Sequence, residues 1–159
     1  TRGYQATGLD LDPFMVQRAR QRAAQHRLAI DYAVQGIQPG GSLGRQAEVV
    51  SATSLLFVVP DKAEALRQLL ASLPPGGTLL IVETTAHFQL PAVHHYLRQH
   101  GWGQRNWILR LWAATRAHKP ALTPADFDLT GYQVTRHPLL EDWVEGWVIK
   151  KLANILISK

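Results

Sequence analysis

Residues 73–83 read Leu-Pro-Pro-Gly-Gly-Thr-Leu-Leu-Ile-Val-Glu, and this stretch decides the fold. Two prolines and two glycines stop the segment before them, because proline has no amide donor to continue a helix and glycine favours the turn. The run Thr78–Glu83 is continuously apolar up to its last residue, as expected of a parallel strand with helices over both faces. Upstream, Asp61–Leu73 carries apolar residues at helical spacing, with Ala63, Leu66, Leu69, Leu70 and Leu73 on one face. Before it, residues 48–52 (Glu-Val-Val-Ser-Ala) read as a buried strand. Strand, helix and strand with short connections make a βαβ unit, whose strands run parallel.

The same order occurs nearer the N-terminus. Residues 4–9 (Tyr-Gln-Ala-Thr-Gly-Leu) form a strand-like run ending in Asp10. Asp12 is placed to cap a helix that opens with Pro13 at its favoured first position. That helix runs to Arg27 in Ala, Gln and Arg, with Phe14, Val16, Ala19 and Ala23 as part of an apolar stripe. Residues 29–34 read as the next strand, and Pro39-Gly40-Gly41-Ser42 as a loop. Beyond Glu83 the pattern changes. Pro91–Gln99 and Asn106–Ala117 are expected helices, and the region holds Trp102, Trp107 and Trp112, three of the five tryptophans. Thr123-Pro124-Ala125-Asp126-Phe127 reads as a capped helix start. Tyr132–His137 and Glu145–Lys150 read as an antiparallel pair at the sheet edge. An apolar tail, Leu152–Ser158, follows.

With 159 residues and 46% hydrophobic content the chain can bury one core, and a single domain over 1–159 is expected. No apolar run reaches transmembrane length, and Thr1–Gln5 does not open a signal peptide; a cytoplasmic location is the default expectation. There is no cysteine, which excludes disulfides, thiolate metal sites and a cysteine nucleophile. His94 and His95 are adjacent rather than four apart, so their rings diverge on a helix and no metal site is expected. Net charge is +5, but the basic residues are dispersed. Their densest group, Arg18, Arg20, Arg22 and Arg27, reads as a solvated helix face, and nucleic acid is not an expected partner.

Three collinear stretches carry a resemblance. The first is Gly3–Val16 with Ala19-Arg20, containing Gly8-Leu9-Asp10 and Met15 near the opening of the helix. The second is Ala47–Ala52 through Val59-Pro60-Asp61, and the third is Leu73–Glu83. Together over residues 3–85 they resemble the class I S-adenosylmethionine-dependent methyltransferases: second strand ending in Gly-x-Asp, fourth strand, and Pro-Gly-Gly turn before the fifth. The resemblance implies an α/β fold, a doubly wound and mostly parallel sheet with helices on both faces and an antiparallel C-terminal edge pair. Residues 1–85 would form the cofactor half, 86–150 the substrate side, and 151–159 a tail. It implies S-adenosylmethionine as cofactor and a small-molecule methyl acceptor. On the cofactor side it places Asp10, Leu11, Met15, Gly36, Ile37 and Ala52. Asp10 would take the ribose hydroxyls, because a carboxylate at a strand's C-terminal end faces the ligand crevice. Ile37 would lie on the adenine face, and Ala52 would approach the methionine part. Structural readings stand beside these: Asp10 as a helix-entry turn residue, Met15 as core and Gly36 as a turn. Glu83 and His87, at the end of the third stretch, are further crevice candidates, and the three tryptophans either roof an acceptor pocket or pack a core.

The departures are specific. The family's acidic strand and Gly-x-Gly-x-Gly loop, where backbone must approach the cofactor, belong just upstream of Thr1 and are not in the sequence. That loop has been lost or lies upstream. The strand that carries it is the central one of the family's sheet, and without it two strands keep unpaired edges around a slot of roughly 10 Å. An upstream segment, a second copy in a homodimer, or the tail Asn154–Ser158 are the candidates to fill it. No Asn/Asp-Pro-Pro-aromatic motif follows the fourth strand, where Ser51-Ala52-Thr53-Ser54 stands, and this argues against methylation of nucleic-acid bases. Phe57-Val58 occupy positions where many small-molecule methyltransferases carry histidines, so no catalytic residue is assigned. Two rival readings remain. One is a non-catalytic remnant or interaction module of the same fold. The other is a different dinucleotide-binding α/β protein with Asp10 on an NAD ribose.

Overall fold

A computed structural model describes residues 3–100, 106–116, 119, 121–126 and 128–153. The chain divides into two compact units, Thr1–Leu43 and Gly44–Lys159.

The first unit is a βαβ: β1 (Ala6–Asp10), α1 (Pro13–Gln25) and β2 (Ile30–Val34). β1 and β2 are parallel, registered from Ala6 opposite Ile30 to Asp10 opposite Val34. Asp12 caps α1 by accepting from the Phe14 amide at 2.8 Å, with Pro13 at the first helical position. The helix ends on a left-handed Arg27 at φ 52°. There the Arg27 amide bonds the Ala24 carbonyl and the Leu28 amide bonds that of Ala23, a closing motif that usually recruits glycine. Of the apolar stripe, Val16 and Ala23 are buried while Phe14 is exposed. Gly8 is required by its neighbour: a Cβ there would lie 2.6 Å from two ring atoms of Tyr32, across the pair on β2.

The second unit holds β3 (Val49–Thr53), α2 (Lys62–Ala71), β4 (Thr78–Thr84), α3 (Leu90–His100), α4 (Asn106–Arg116), a 3-10 turn (Pro124–Asp126), β5 (Tyr132–Leu139) and β6 (Val144–Lys151). Its sheet order is β3-β4-β6-β5, with β3 and β4 parallel and β6 antiparallel to β4 and to β5. The C-terminal pair is thus antiparallel as expected, with β6 inserted beside β4 and β5 forming the edge. Asp61 caps α2 through the Glu64 amide at 2.9 Å. The buried face of α2 carries Ala65, Leu66, Leu69 and Leu70, and Ala63 is exposed. At the Pro-Pro-Gly-Gly turn Gly76 adopts φ 81°, and the turn is tied to the end of β6 by the Gly76 amide on Lys151 and the Lys151 amide on Gly77. The core is built from Leu73, Leu79, Ile81, Trp147 and Ile149, all fully buried.

Three expectations need correction. β3 is not a buried strand: Val49 is exposed and only Ala52 is buried. Along β4, Leu79, Ile81 and Glu83 are buried while Leu80 is exposed, so the apolar run is not uniformly covered. The capped start at Thr123 yields one 3-10 turn. Among the described residues β1 pairs only with β2, and β3 only with β4, so each presents an unpaired edge. The tail Asn154–Ser158 and Trp102 lie outside the described residues.

Candidate functional site

Five of the six cofactor-side residues gather at the C-terminal ends of β1 and β2. Asp10 closes β1, where its carbonyl accepts from the Gln35 amide at 2.9 Å. Its carboxylate is exposed, with Oδ1 taking the Asp12 amide at 2.9 Å. The Asp10–Leu11–Asp12 turn is therefore fixed by its own short-range bonds, an Asx-type turn running into a helix cap. Leu11 is 68% and Met15 46% exposed, so Met15 is not core. Gly36 lies under Leu11: a Cβ would come within 2.8 Å of Leu11 Cδ1. Gly36 and Ile37 are half-buried beside it. An exposed carboxylate next to exposed aliphatic surface suits a ligand with a diol and a flat apolar ring. Ala52 belongs to the second unit, where it is buried opposite Ile81.

The ends of β3 and β4 in the second unit are built differently. Glu83 is turned inward and is only 3% exposed, which takes it away from the crevice mouth. Its Oε1 accepts from the Leu56 amide at 2.7 Å, and its Oε2 lies 3.9 Å from the Arg116 guanidinium. Burial pushes the Glu83 carboxyl above its usual range, against the Leu56 hydrogen bond and the charges of Arg116 and Lys62. Burial likewise lowers Arg116, opposed by Glu83. The guanidinium carbon sits 4.0 Å from the centroid of the Phe57 ring, and one amino group reaches the Thr84 carbonyl at 3.4 Å. Glu83 Oε2, Thr84 Oγ1 and Arg116 Nη1 are buried without a hydrogen-bond partner. The loop after β3 begins with Ser54 in the left-handed region at φ 53°, an uncommon conformation for a non-glycine residue.

Beside this cluster opens a cleft of about 630 Å³. Phe88, Leu90, Pro91 and Ala113 give it apolar walls, and Arg116 and Lys119 give it charge. Phe88 is held by Trp112 and Trp143, at ring-centroid distances of 4.5 and 5.5 Å. Thr85, at the rim, fastens the loop after β4 to the β5–β6 hairpin: its amide donates to Trp143 at 2.9 Å and its hydroxyl to the Asp142 carbonyl at 2.5 Å. Leu140, Glu141 and Asp142 in that hairpin all have positive φ. Trp112 therefore packs behind the cleft wall, Trp107 is exposed, and His87 is an exposed loop residue whose amide is held by Thr85 Oγ1. Arg116, Lys119 and Trp143 were not singled out by the sequence, and Phe57 was noted only as standing where a histidine is common. The sequence's one signal for Arg116 is a cation three positions after Ala113 on a helix rich in Trp and Leu. Among the described residues no group of three or more His, Cys, Asp or Glu could hold a metal ion, and no helix is long and apolar enough to cross a membrane.

Comparison with known proteins bears directly on this arrangement. The ubiquinone biosynthesis O-methyltransferase of Xanthomonas campestris pv. campestris (strain B100) is 33% identical over 100 residues, covering 57% of this chain and 40% of that protein. The protein of the same name from Coxiella burnetii (strain Dugway 5J108-111) is 26% identical over 87 residues, covering 55% and 37%. The chain thus spans about 40% of the length of the curated relatives it matches. Among solved structures, an O-methyltransferase family protein from Burkholderia thailandensis superposes with a TM-score of 0.64 at 17% identity, over 94% of this chain and 44% of that one. The plantazolicin methyltransferase BpumL, solved with SAH, gives 0.57 at 11% identity, over 92% and 66%. At these identities the superpositions show the fold, and they bear out the class I α/β architecture. The family described as a methyltransferase domain matches residues 1–127, and the chain belongs to that family.

Proposed function

We propose that this chain acts in S-adenosylmethionine-dependent methyl transfer to a small-molecule acceptor, with the ends of β1 and β2 as the cofactor-binding surface. The observation that carries the reading is Asp10: an exposed carboxylate at a parallel strand's C-terminal end, in a turn already fixed by the Asp12 amide. One oxygen is engaged locally and the group faces solvent, so it can accept from ribose hydroxyls at little desolvation cost. Leu11 and Ile37 offer the apolar shelf for adenine, and Met15 extends it. Gly36 keeps Leu11 close by having no Cβ in its way. When bound, the cofactor supplies an electrophilic methyl group on a sulfonium. The protein's part is to hold the acceptor's O, N or C atom in line with that methyl group, and catalysis rests on proximity and orientation. No histidine is among the described residues that line the cleft, and a reaction that rests on positioning does not call for one.

Calorimetric titration with S-adenosylhomocysteine tests the reading. The chain is expected to bind at about micromolar Kd, and Asp10→Ala to bind roughly 10- to 100-fold more weakly, the loss of a charge-assisted hydrogen-bond pair. A folded chain that does not bind, or a variant that binds equally well, overturns it. Titration with NAD in parallel separates this reading from a dehydrogenase-type use of the same carboxylate.

A further inference from the structure

The cleft of the second unit has two features that the proposed reaction leaves unused: its charge and a buried guanidinium nitrogen, Arg116 Nη1, that has no hydrogen-bond partner. We propose that it selects an acceptor bearing a carboxylate on an apolar body, an aryl or alkyl carboxylic acid, with the carboxylate at Arg116 and Lys119. Naming this ligand the acceptor rests on the methyl-transfer reading; the carboxylate site itself does not.

Arg116 and Lys119 are the charged residues among the described lining, which includes no Asp or Glu. The Arg116 side chain is only 5% exposed, and its Nη1 has no hydrogen-bond partner. Its nearest carboxylate oxygen, on Glu83, stands at 3.9 Å, beyond hydrogen-bond reach, and the other Glu83 oxygen is committed to the Leu56 amide. A guanidinium is a planar fork whose bidentate match is a carboxylate. The Phe57 ring, 4.0 Å away, supports the plane of that fork. Lys119 Nζ lies 5.0 Å from the centroid of the same ring and donates to the Phe57 carbonyl at 3.3 Å, so both cations border Phe57 and line the one cleft. Apolar residues Phe88, Leu90 and Pro91 face the remainder of the cleft, and about 630 Å³ lies within the range that small-molecule sites occupy. A neutral ligand could accept a hydrogen bond here but would offset neither charge. Even with Glu83 ionised against Arg116, Lys119 leaves the cleft positive. The upward shift of the Glu83 carboxyl adds to that bias.

The test uses 3-phenylpropionate and its neutral counterpart 3-phenylpropionamide, titrated by ligand-observed NMR into the chain and into Lys119→Gln. Lys119 is exposed, so the variant keeps the fold, which circular dichroism verifies. The acid is expected to bind with sub-millimolar Kd, about tenfold or more tighter than the amide. Lys119→Gln should weaken the acid roughly three- to tenfold and leave the amide unchanged. Equal affinity for acid and amide, or no binding of the acid at millimolar concentration, overturns the proposal. S-adenosylhomocysteine titrated into the same samples separates the two readings. If it binds and the acid does not, the acceptor class is wrong and methyl transfer stands. If the acid binds and it does not, the carboxylate site stands and methyl transfer falls.

Discussion

Two carboxylates end parallel strands in this molecule, Asp10 on β1 and Glu83 on β4, and their environments are opposite. Asp10 is exposed, and its carboxylate takes a hydrogen bond from an amide two residues away. Glu83 is buried, takes its hydrogen bond from an amide 27 residues away, and faces a guanidinium from α4. The difference teaches that a strand-end carboxylate is ligand-ready only when local partners fix it and leave an oxygen in solvent. When distant segments converge on it, the same group becomes part of what holds the unit together. Position in the topology nominates both residues, and burial separates their roles.

The largest effect that can break this comparison is on stability. Glu83→Ala removes the acceptor of the Leu56 amide and leaves Arg116 as a buried charge without its counter-ion. A loss of about 3–5 kcal/mol is expected. Asp10→Ala, at an exposed site, should stay within about 1 kcal/mol. Urea unfolding of the two variants checks this, and equal losses would erase the distinction. A pH series sharpens it. The Glu83 carboxyl is raised by burial despite the Leu55 and Leu56 amides, Arg116 and Lys62. The folded state thus holds that proton more tightly than the unfolded one. The stability this provides is complete below the ordinary carboxylate value of 4.5 and is lost as pH rises through the folded value. The urea midpoint of the chain relative to Glu83→Gln should therefore fall as pH rises above 4.5. A difference that rises over that range would mean the counter-charges outweigh burial.

The next effect contrasts two strand glycines. In the first unit, Gly8→Ala puts a methyl group 2.6 Å from ring atoms of Tyr32, and the ring must shift in a unit whose sheet, among the described residues, has two strands. A cost of about 1–3 kcal/mol is expected. In the second unit, an added Cβ at Gly146 meets Leu139 Cδ1 at 3.5 Å, ordinary contact on a strand paired on both sides. Gly146→Ala should stay within about 0.5 kcal/mol. Thermal unfolding of both variants measures the contrast, and a tolerated Gly8→Ala would show that the Tyr32 ring is free to move.

What the sequence made legible follows the range of the interactions. Asp12-Pro13 and Pro-Pro-Gly-Gly act within a few residues, and they marked the cap of α1 and the stop after α2; Asp61 was read as the start of α2's spacing, and its capping role emerges only in the structure. The antiparallel C-terminal pair was legible from its two β-prone runs. Its insertion beside β4 was not, because that register links Thr78–Thr84 to Val144–Lys150 across most of the second unit. Periodicity put Ala63 on the buried face of α2 where Ala65 is, since apolar alanines are too small to fix a face. The Gly8-Leu9-Asp10 stretch located the exposed carboxylate and its aliphatic neighbours. Glu83 and Phe57 were noted separately, but their meeting with Arg116 was not legible, because the cluster joins the ends of a strand, a helix and a loop far apart in the chain, and no spacing rule connects them. The hairpin's left-handed Leu140, Glu141 and Asp142 stand where turn chemistry would call for glycine or asparagine.

The smallest expected effect is the most discriminating for the cofactor site. Each βαβ unit has one aspartate cap: Asp12 accepts from Phe14 at 2.8 Å, and Asp61 from Glu64 at 2.9 Å. Removing either should cost about 1 kcal/mol of stability, the usual value of an N-cap. Their functional consequences should differ. Asp12 also anchors the turn whose amide holds Asp10, so Asp12→Ala frees that turn and should weaken S-adenosylhomocysteine binding roughly three- to fivefold. Asp61→Ala frays α2 in the other unit and should leave the affinity unchanged. Matched unfolding and calorimetric titrations of the two variants give the comparison an internal control. If both lower the affinity alike, binding follows overall stability and the turn at Asp10 has no special part in it. If only Asp12→Ala does, preorganisation of the carboxylate by its own helix cap is the property that binding depends on.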